Sequence, residues 1–168
     1  YIAVARGVVP QEHWFSLGRL LTRADGNSSL LSWSGSMFEY LMPMLVMPTY
    51  DGTLLDRTQR AVVRRQIEYG RQRHVPWGIS ESQYNTTDAH LNYQYRAFGV
   101  PGLGLKRGLR EDLVIAPYAT IMALMVDPAA AMANLRRLQR LGAMGPHGFY
   151  EAIDFTPTRL PRGQEHVV

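Results

Sequence analysis

The stretch LSWSGSMFEYLMPMLVM, residues 31–47, decides the predicted fold because it holds an apolar helix with a single carboxylate. From Gly35 onward, apolar side chains cover nearly every face, a pattern typical of a helix enclosed by others. Glu39 lies in the middle, and Pro43 cannot donate a hydrogen bond to the Glu39 carbonyl, so we expect a kink there. We expect burial to raise the pKa of Glu39 and to suit it to proton donation. The alternative is a structural carboxylate paired with an arginine, for which Arg96 is the candidate.

Predicted helices alternate with loops along the rest of the chain. We predict helices over 10–22, 53–74, 117–126 and 128–142, with a turn at Asp25-Gly26-Asn27 after the first. Thr53 and Asp127 are expected to cap two of these helices. We predict loops over 75–92 and 99–108, and a loop with one short strand at 149–155 in the tail. The succession predicts a mainly all-α fold, a partial α/α-toroid of stacked helical hairpins with long aromatic loops.

The composition is that of a globular chain. Its 168 residues suffice for one domain but not for two, so we predict a single domain over 1–168. The net charge of +4 comes mostly from dispersed arginines, and we expect no nucleic-acid partner. The absence of cysteine excludes thiol catalysis and cysteine-ligated zinc, and no apolar run approaches the roughly 20 residues of a spanning helix, so we expect no membrane contact by this segment. Because the chain starts at Tyr1 rather than methionine, we expect it to be part of a longer polypeptide.

Aromatic and polar side chains are mixed in the predicted loops. Aromatic rings bind the apolar faces of sugars, while carboxylates and arginines hydrogen-bond sugar hydroxyls. We therefore predict a sugar substrate, although a loop tryptophan is as often a packing residue. The predicted substrate-binding side chains are Trp33, Trp77, Tyr84, Asp88, Tyr93, Tyr95, Arg96, Phe98, Tyr150 and Asp154.

Three glutamates can supply the two carboxyl groups that glycoside cleavage requires, one as acid and the other as base or nucleophile. Besides Glu39, these are Glu81, which follows a Trp-Gly loop, and Glu151, which follows Tyr150. The alternative role of Glu81 and Glu151 is to anchor loops through hydrogen bonds to backbone amides. The sequence leaves acid and nucleophile unassigned among the three. We expect one pocket to gather Trp33, Glu39, Trp77, Glu81, Tyr93, Tyr150 and Glu151.

The sequence holds no convincing metal or cofactor motif. The five histidines lack paired-ligand spacing such as H-E-x-x-H, so we predict no metal site. The glycines between Gly102 and Gly108 fit neither a dinucleotide fingerprint nor a P-loop, so we predict no cofactor.

Six stretches resemble, in order, the glycoamylase-like domain of cyclic β-1,2-glucan synthases, which is related to the β-1,2-glucanases. They are 17–23 (LGRLLTR), 31–47, 64–82 (RRQIEYGRQRHVPWGISES), 93–108 (YQYRAFGVPGLGLKRG), 112–119 (DLVIAPYA) and 148–160 (GFYEAIDFTPTRL). The resemblance implies an α/α-toroid of which this chain holds the later part. Glu39, Glu81 and Glu151 all fall within matching stretches.

The resemblance also implies a reaction and a setting. The reaction is transglycosylation, in which a linear β-1,2-glucan is cut and its new end is joined to its own other end with retained configuration. The parent synthases are large bacterial inner-membrane proteins with a glycosyltransferase module and a phosphorylase-like module. The implied partners are therefore β-1,2-glucan and those modules, and the implied location is the cytoplasmic face of the inner membrane.

Other functions stay open at the level of sequence. A hydrolase of the same fold would release linear oligosaccharides, and a non-catalytic glucan-binding or structural module would need no carboxylates. A basic helical nucleic-acid binder would lose affinity steeply with salt. For the surface, we expect a broad apolar area wherever helices such as 35–47 lack partners.

Overall fold

The computed structural model describes residues 2–24 and 26–168. Its α-helices are α1 (Ile2–Ala5), α2 (His13–Ser16), α3 (Met37–Val46), α4 (Leu54–Gln72), α5 (Pro117–Met122) and α6 (Pro128–Arg140). Its strands are β1 (Leu21–Ala24), β2 (Asn27–Leu30), β3 (Ser82–Thr87), β4 (Tyr93–Arg96), β5 (Val114–Ile115), β6 (Met144–Gly145), β7 (Gly148–Phe149) and β8 (Ile153–Asp154). Short 3₁₀ helices cover Ala123–Met125 and Pro157–Arg159. No helix in the described part of the chain is long and apolar enough to cross a membrane.

The prediction of a mainly all-α partial toroid is wrong. Helices hold 37% of the chain and strands 17%, in small antiparallel sheets. Each sheet has two strands, and the pairs are β1 with β2, β3 with β4, β5 with β8 and β6 with β7. Hairpins occur where loops were predicted because polar stretches rich in tyrosine and threonine, such as β3 and β4, favour extended backbone once they are paired. The fold is therefore a mixture of helices and small hairpins.

The predicted helix over 10–22 is also wrong in extent. It is limited to α2, and Leu21 instead begins β1, where it pairs with Leu30. The hairpin closes with Ala24 opposite Asn27. The predicted turn at Asp25-Gly26-Asn27 includes Asp25, which lies outside the described residues. An Asp-Gly dipeptide between two short runs is a signal for a hairpin as well as for a helix end.

The other helices form close to where the sequence predicts them. Thr53 caps α4 by accepting a hydrogen bond from the Asp56 amide, and Asp127 caps α6 through the Ala130 amide. Pro128 occupies the first turn of α6, where its missing N–H costs no hydrogen bond. These capping signals are local, so tertiary packing does not need to be known to read them.

The core lies between α3, α4, α5 and α6. Helix α3 contacts α4 and α5, α5 contacts α6, and β2 lies against α4. The largest apolar side chains that are completely buried belong to Met37, Leu41, Leu103, Ile115, Leu138 and Ile153. The C-terminal half of α3 departs from the prediction of an enclosed helix, since Leu45 and Val46 are 59% and 69% exposed.

The glycine-rich loop predicted over 99–108 lies directly against the segment that precedes α3. Val100 donates its amide hydrogen to the Gly35 carbonyl, and the Ser32 and Leu103 main chains are also bonded. A Cβ atom on Gly99 would lie 1.8 Å from the Ser34 carbonyl oxygen. The glycine at position 99 is thus required by a close approach of two backbones.

Candidate active site

Glu81 and Glu151 reach the same place from distant parts of the chain. Glu81 directly precedes β3, and Glu151 lies between β7 and β8. The Gln83 amide donates a long hydrogen bond of 3.4 Å to Glu151 Oε1, so the second glutamate lies against the strand that the first one introduces. Glu81 is half-buried and Glu151 is exposed, which leaves both carboxyl groups open to a ligand.

The pKa values of two tyrosines are affected by the charges of these carboxylates. Burial, a hydrogen bond to the Glu81 side chain and the charges of Glu81 and Glu151 raise the pKa of Tyr95 to about 12. Burial also raises the pKa of Tyr118, with a contribution from the same two charges. A neighbouring negative charge disfavours the phenolate, so both phenols stay protonated and can donate hydrogen bonds. The charges of both carboxylates therefore act on the two phenols.

A cavity of about 230 Å³ opens beside Glu151. It is lined by Gln83, Tyr84, Asn85, Tyr93, Tyr150, Glu151, Ala152, Asp154, Val167 and Val168. Five of the predicted site residues therefore meet here: Tyr84, Tyr93, Tyr150, Glu151 and Asp154. Tyr93 and Tyr150 are 59% and 49% exposed, so their rings are available to a ligand.

Arg159, which was not among the predicted site residues, fixes the wall of this cavity through ion pairs. Arg159 binds Asp154 through Nε at 2.6 Å and also pairs with Asp112. Its guanidinium lies 4.8 Å from the centroid of the Tyr84 ring. Arg96 pairs with the same Asp112 at 2.9 Å. Asp154 is only 2% exposed, and its carboxylate is occupied by this ion pair, which gives it a structural role at the cavity wall.

Tyr84 is fixed from several sides. The Phe98 ring meets it edge-on with 5.3 Å between centroids, and Arg96 lies 5.8 Å from its centroid. Phe98 is buried, so it supports the Tyr84 ring from behind, contrary to the prediction that it contacts substrate.

The sequence signal for Arg159 was weak, because a lone arginine after a Thr-Pro-Thr turn has no motif around it.

Glu39 is a capping residue, and the predictions of a raised pKa and an arginine partner are wrong. It forms a capping box with Ser36 at the start of α3. Its Oε2 accepts hydrogen bonds from Ser32 Oγ at 2.7 Å, Ser34 Oγ at 2.8 Å and the Gly35 amide at 3.0 Å. Burial acts to raise the pKa of Glu39, but the hydrogen bonds from these serines and amides outweigh it and lower the pKa.

Besides Glu39 and Phe98, the predicted site residues that do not line the cavity are Trp33, Trp77, Glu81, Asp88, Tyr95 and Arg96. Trp77 is a core residue with 7% exposure, contrary to the prediction that it binds substrate. Asp88 closes a local turn by accepting hydrogen bonds from the amides of His90 and Asn92. Trp33 is exposed beside the glycine-rich loop, where its carbonyl accepts a hydrogen bond from the Lys106 amide. The predicted convergence of seven residues is therefore wrong for Trp33, Glu39 and Trp77, and Glu81 lies next to the strand that contacts Glu151 without lining the cavity itself.

Comparison with known proteins identifies the family to which the chain is similar. The family model described as "Putative glucoamylase" (Glycoamylase) matches residues 4–165. The cyclic β-(1,2)-glucan synthase NdvB of Rhizobium meliloti (strain 1021) is 54% identical over 166 residues, which is 99% of this chain and 6% of that protein. The chain thus spans only a small part of the length of this relative.

A solved structure shares the fold. It is an endo-β-1,2-glucanase from Chitinophaga pinensis in complex with sophorotriose and glucose. The alignment has a TM-score of 0.59 at 18% identity and covers 85% of this chain and 36% of that one. Since the family model matches almost every residue, the chain belongs to the glycoamylase family.

Proposed function

We propose that this chain is a carbohydrate-active enzyme domain that cleaves β-1,2-glucan and joins the ends again, with Glu81 and Glu151 as its two working carboxyl groups. The observation that carries the proposal is the hydrogen bond from the Gln83 amide to Glu151, which brings this carboxylate to the strand that directly follows Glu81. Two carboxyl groups that face one site are what glycoside chemistry requires. The substrate class is supported by the names of the two similar proteins, a synthase and an endo-glucanase of β-1,2-glucan.

The aromatic cavity gives the sugar a place to bind next to Glu151. Tyr84, Tyr93 and Tyr150 line it, and tyrosine rings pack against the apolar faces of sugar rings. The Asn85 and Gln83 side chains at the same wall offer amide groups to sugar hydroxyls. The cavity of about 230 Å³ is shallow, which fits one or two sugar units of a longer chain that continues into solvent.

The proposed transglycosylation needs one protonated and one ionised carboxyl group. The protonated group gives its proton to the glycosidic oxygen as the bond breaks, while the ionised group attacks the anomeric carbon and forms a glycosyl ester. A hydroxyl at the other end of the same glucan then returns a proton to the first carboxylate, attacks the anomeric carbon and displaces the second carboxylate. The scheme holds with either glutamate as the acid and the other as the nucleophile.

The setting is also part of the proposal. The 6% coverage of the synthase is consistent with a segment that works beside other modules of a much longer polypeptide. We infer that β-1,2-glucan and those modules are its partners, and that it works at the cytoplasmic face of the bacterial inner membrane.

The test is substitution of each glutamate by glutamine in the full-length protein. Glu81→Gln and Glu151→Gln should each lower the cleavage rate on linear β-1,2-glucan by about 10²- to 10⁴-fold, the usual contribution of a general acid or base. Glu68→Gln is the matched control, because Glu68 contacts Arg71 and Gln72 of its own helix on the surface of α4. Full activity of either site variant would contradict the proposal.

The products decide the finer part of the proposal. Cyclic glucans support transglycosylation, whereas only linear products support the hydrolytic alternative suggested by the glucanase relative. If the parent protein binds glucan but does not cleave it, the chain is a non-catalytic glucan-binding module.

A further inference from the structure

Residues 77–81, which we call the Glu81 segment, have no regular secondary structure. Residues from other parts of the chain nevertheless form hydrogen bonds with most of the backbone of this segment. Asn134 accepts from the Trp77 amide at 3.2 Å and donates to the Trp77 carbonyl at 2.7 Å. Gln66 binds Ile79 in the same two-sided way, with both distances 2.8 Å. Thr120 Oγ1 donates to the Trp77 carbonyl as well. The segment is thus held residue by residue.

The side chains that hold it are deeply buried and come from three different helices. Gln66 on α4, Thr120 on α5 and Asn134 on α6 are 1%, 0% and 4% exposed. A buried polar side chain is costly unless it is fully hydrogen-bonded, and a satisfied network fixes one geometry. A Cβ atom at Gly78 would lie 2.7 Å from Thr120 Oγ1, so the segment also fits its surroundings closely. Such packing specifies where Glu81 stands.

The last link in this arrangement is a chain of hydroxyl groups. The Phe38 amide donates to Ser80 Oγ at 3.0 Å, Ser80 Oγ lies 2.8 Å from the Tyr118 hydroxyl, and that hydroxyl lies 2.8 Å from the Glu81 carbonyl oxygen. A carbonyl only accepts, so Tyr118 donates to Glu81. The Tyr118 oxygen therefore accepts its other hydrogen bond from the Ser80 hydroxyl, whose only hydrogen points toward Tyr118. The chain runs from the start of α3 to the main chain of Glu81.

We propose that Tyr118 is a positioning residue for Glu81, and that its hydroxyl fixes the main chain from which the Glu81 carboxyl group extends. This inference rests on the proposed catalytic role of Glu81. Tyr118 is half-buried on α5, and both of its hydroxyl contacts go to residues 80 and 81. It acts through Glu81 and has no need to touch the sugar.

Removal of the Tyr118 hydroxyl should leave Glu81 less firmly positioned, while the residues that line the binding cavity stay in place. The Glu81 carbonyl and Ser80 Oγ would each lose a partner, and the carboxyl group would lose its fixed distance to the reacting bond. A displacement of about 1 Å in a catalytic group can cost about 10²-fold in rate. Tyr84, Tyr93 and Tyr150, which line the cavity, keep their contacts, so binding of the ground state should stay intact.

The test is Tyr118→Phe in the full-length protein. We expect kcat to fall by about 10- to 100-fold while KM stays within about twofold. Tyr69→Phe is the matched control, because Tyr69 is also buried and its hydroxyl binds only Arg73 among the described contacts. The control should keep both constants. An unchanged kcat in Tyr118→Phe, or an equal fall in the control, would overturn the inference.

A double variant separates positioning from a general structural effect. If Tyr118 acts through Glu81, then Tyr118→Phe should cause almost no further loss in a Glu81→Gln background, measured at high enzyme concentration. An equal loss in both backgrounds would show that Tyr118 supports the fold only. Should Tyr118→Phe be unstable, kcat is compared at a lower temperature at which circular dichroism shows the variant to be folded, and an unchanged kcat there overturns the inference.

These outcomes also separate this inference from the proposed function. If Glu81→Gln keeps its rate, the proposed function itself fails. If Glu81→Gln loses its rate but Tyr118→Phe keeps the parental kcat, only the role of Tyr118 fails.

Discussion

At the scale of single residues, three similar glutamates have different surroundings. Glu39 lies in an apolar stretch and looks like a buried acid in the sequence, but its oxygens are occupied by the serines around it. Ser36 three residues earlier is a capping-box signal that favours this structural role. Glu81 and Glu151 lack such a set of donors and remain accessible. The sequence predicts the three candidates and also holds the local donors to Glu39, which lie within seven residues of it. It does not show that Glu81 and Glu151 come together, because the contact of Gln83 with Glu151 joins residues 68 positions apart.

The first prediction concerns Glu39. Glu39→Gln should lower the free energy of unfolding by about 1–3 kcal/mol, because an amide cannot accept all of the hydrogen bonds that the carboxylate accepts. Denaturant unfolding of the parent chain and the variant measures this difference. Glu68→Gln, on an exposed ion pair, should change stability by less than about 1 kcal/mol.

The pH dependence of that difference has a fixed sign. The pKa of Glu39 is lowered in the folded state, so its contribution is fully present above the unfolded value near 4.5 and is lost as pH falls through the lower folded value. The gap in stability between the parent and Glu39→Gln should therefore narrow below about pH 4.5. A variant that is fully stable but catalytically dead would instead place Glu39 in the active site.

At the scale of elements, helices with local start signals were predictable and the hairpins were not. The caps at Thr53 and Asp127 are readable from a few residues, and α4 and α6 begin next to them. Strands β3 and β4 are neighbours in the chain, but their register shifts between Gln83 and Thr87, so no regular alternation of side chains marks the pairing in the sequence. Two-residue strands such as β5 and β8 carry almost no pattern of their own.

The crossing between residues 32–35 and 99–106 gives a prediction at this scale. Gly99→Ala should destabilise the chain by about 3 kcal/mol or more, because its methyl group would collide with the Ser34 carbonyl and neither backbone can move alone. Gly18→Ala is the control, since a Cβ atom there meets nothing within 4 Å, and it should change stability by less than about 1 kcal/mol. Thermal unfolding followed by circular dichroism compares the two. Equal stability of both variants would mean that the close crossing does not form.

At the scale of the whole molecule, the chain exposes large apolar side chains, as the sequence analysis expected. Leu45 and Val46 on α3 stand out with 59% and 69% exposure, and Leu20 and Leu21 are 60% and 54% exposed. Large exposed apolar areas usually mark contacts with other protein surfaces. We expect other parts of the full-length protein to cover them.

This exposure can be measured on the 168-residue chain by itself. The chain should bind a hydrophobic dye such as ANS, and the double variant Leu45→Lys with Val46→Lys should reduce the dye signal while keeping the circular dichroism spectrum. The control, Ala133→Lys with Gln139→Lys, adds the same charge on exposed positions of α6 and should leave the signal unchanged. Equal dye binding by parent and α3 variant would show that the α3 end is covered in solution.

The central claim is that Glu81 and Glu151 face one glycosidic bond. Chemical rescue tests it most directly: Glu81→Ala and Glu151→Ala are assayed in the full-length protein on linear β-1,2-glucan, with and without azide. Loss of either carboxyl group should slow cleavage, and azide, a small anion that fits the vacated space, should restore turnover in at least one variant and appear in a glycosyl azide product. Alanine variants that both keep the parental rate without azide, or that never yield a glycosyl azide, would contradict the account.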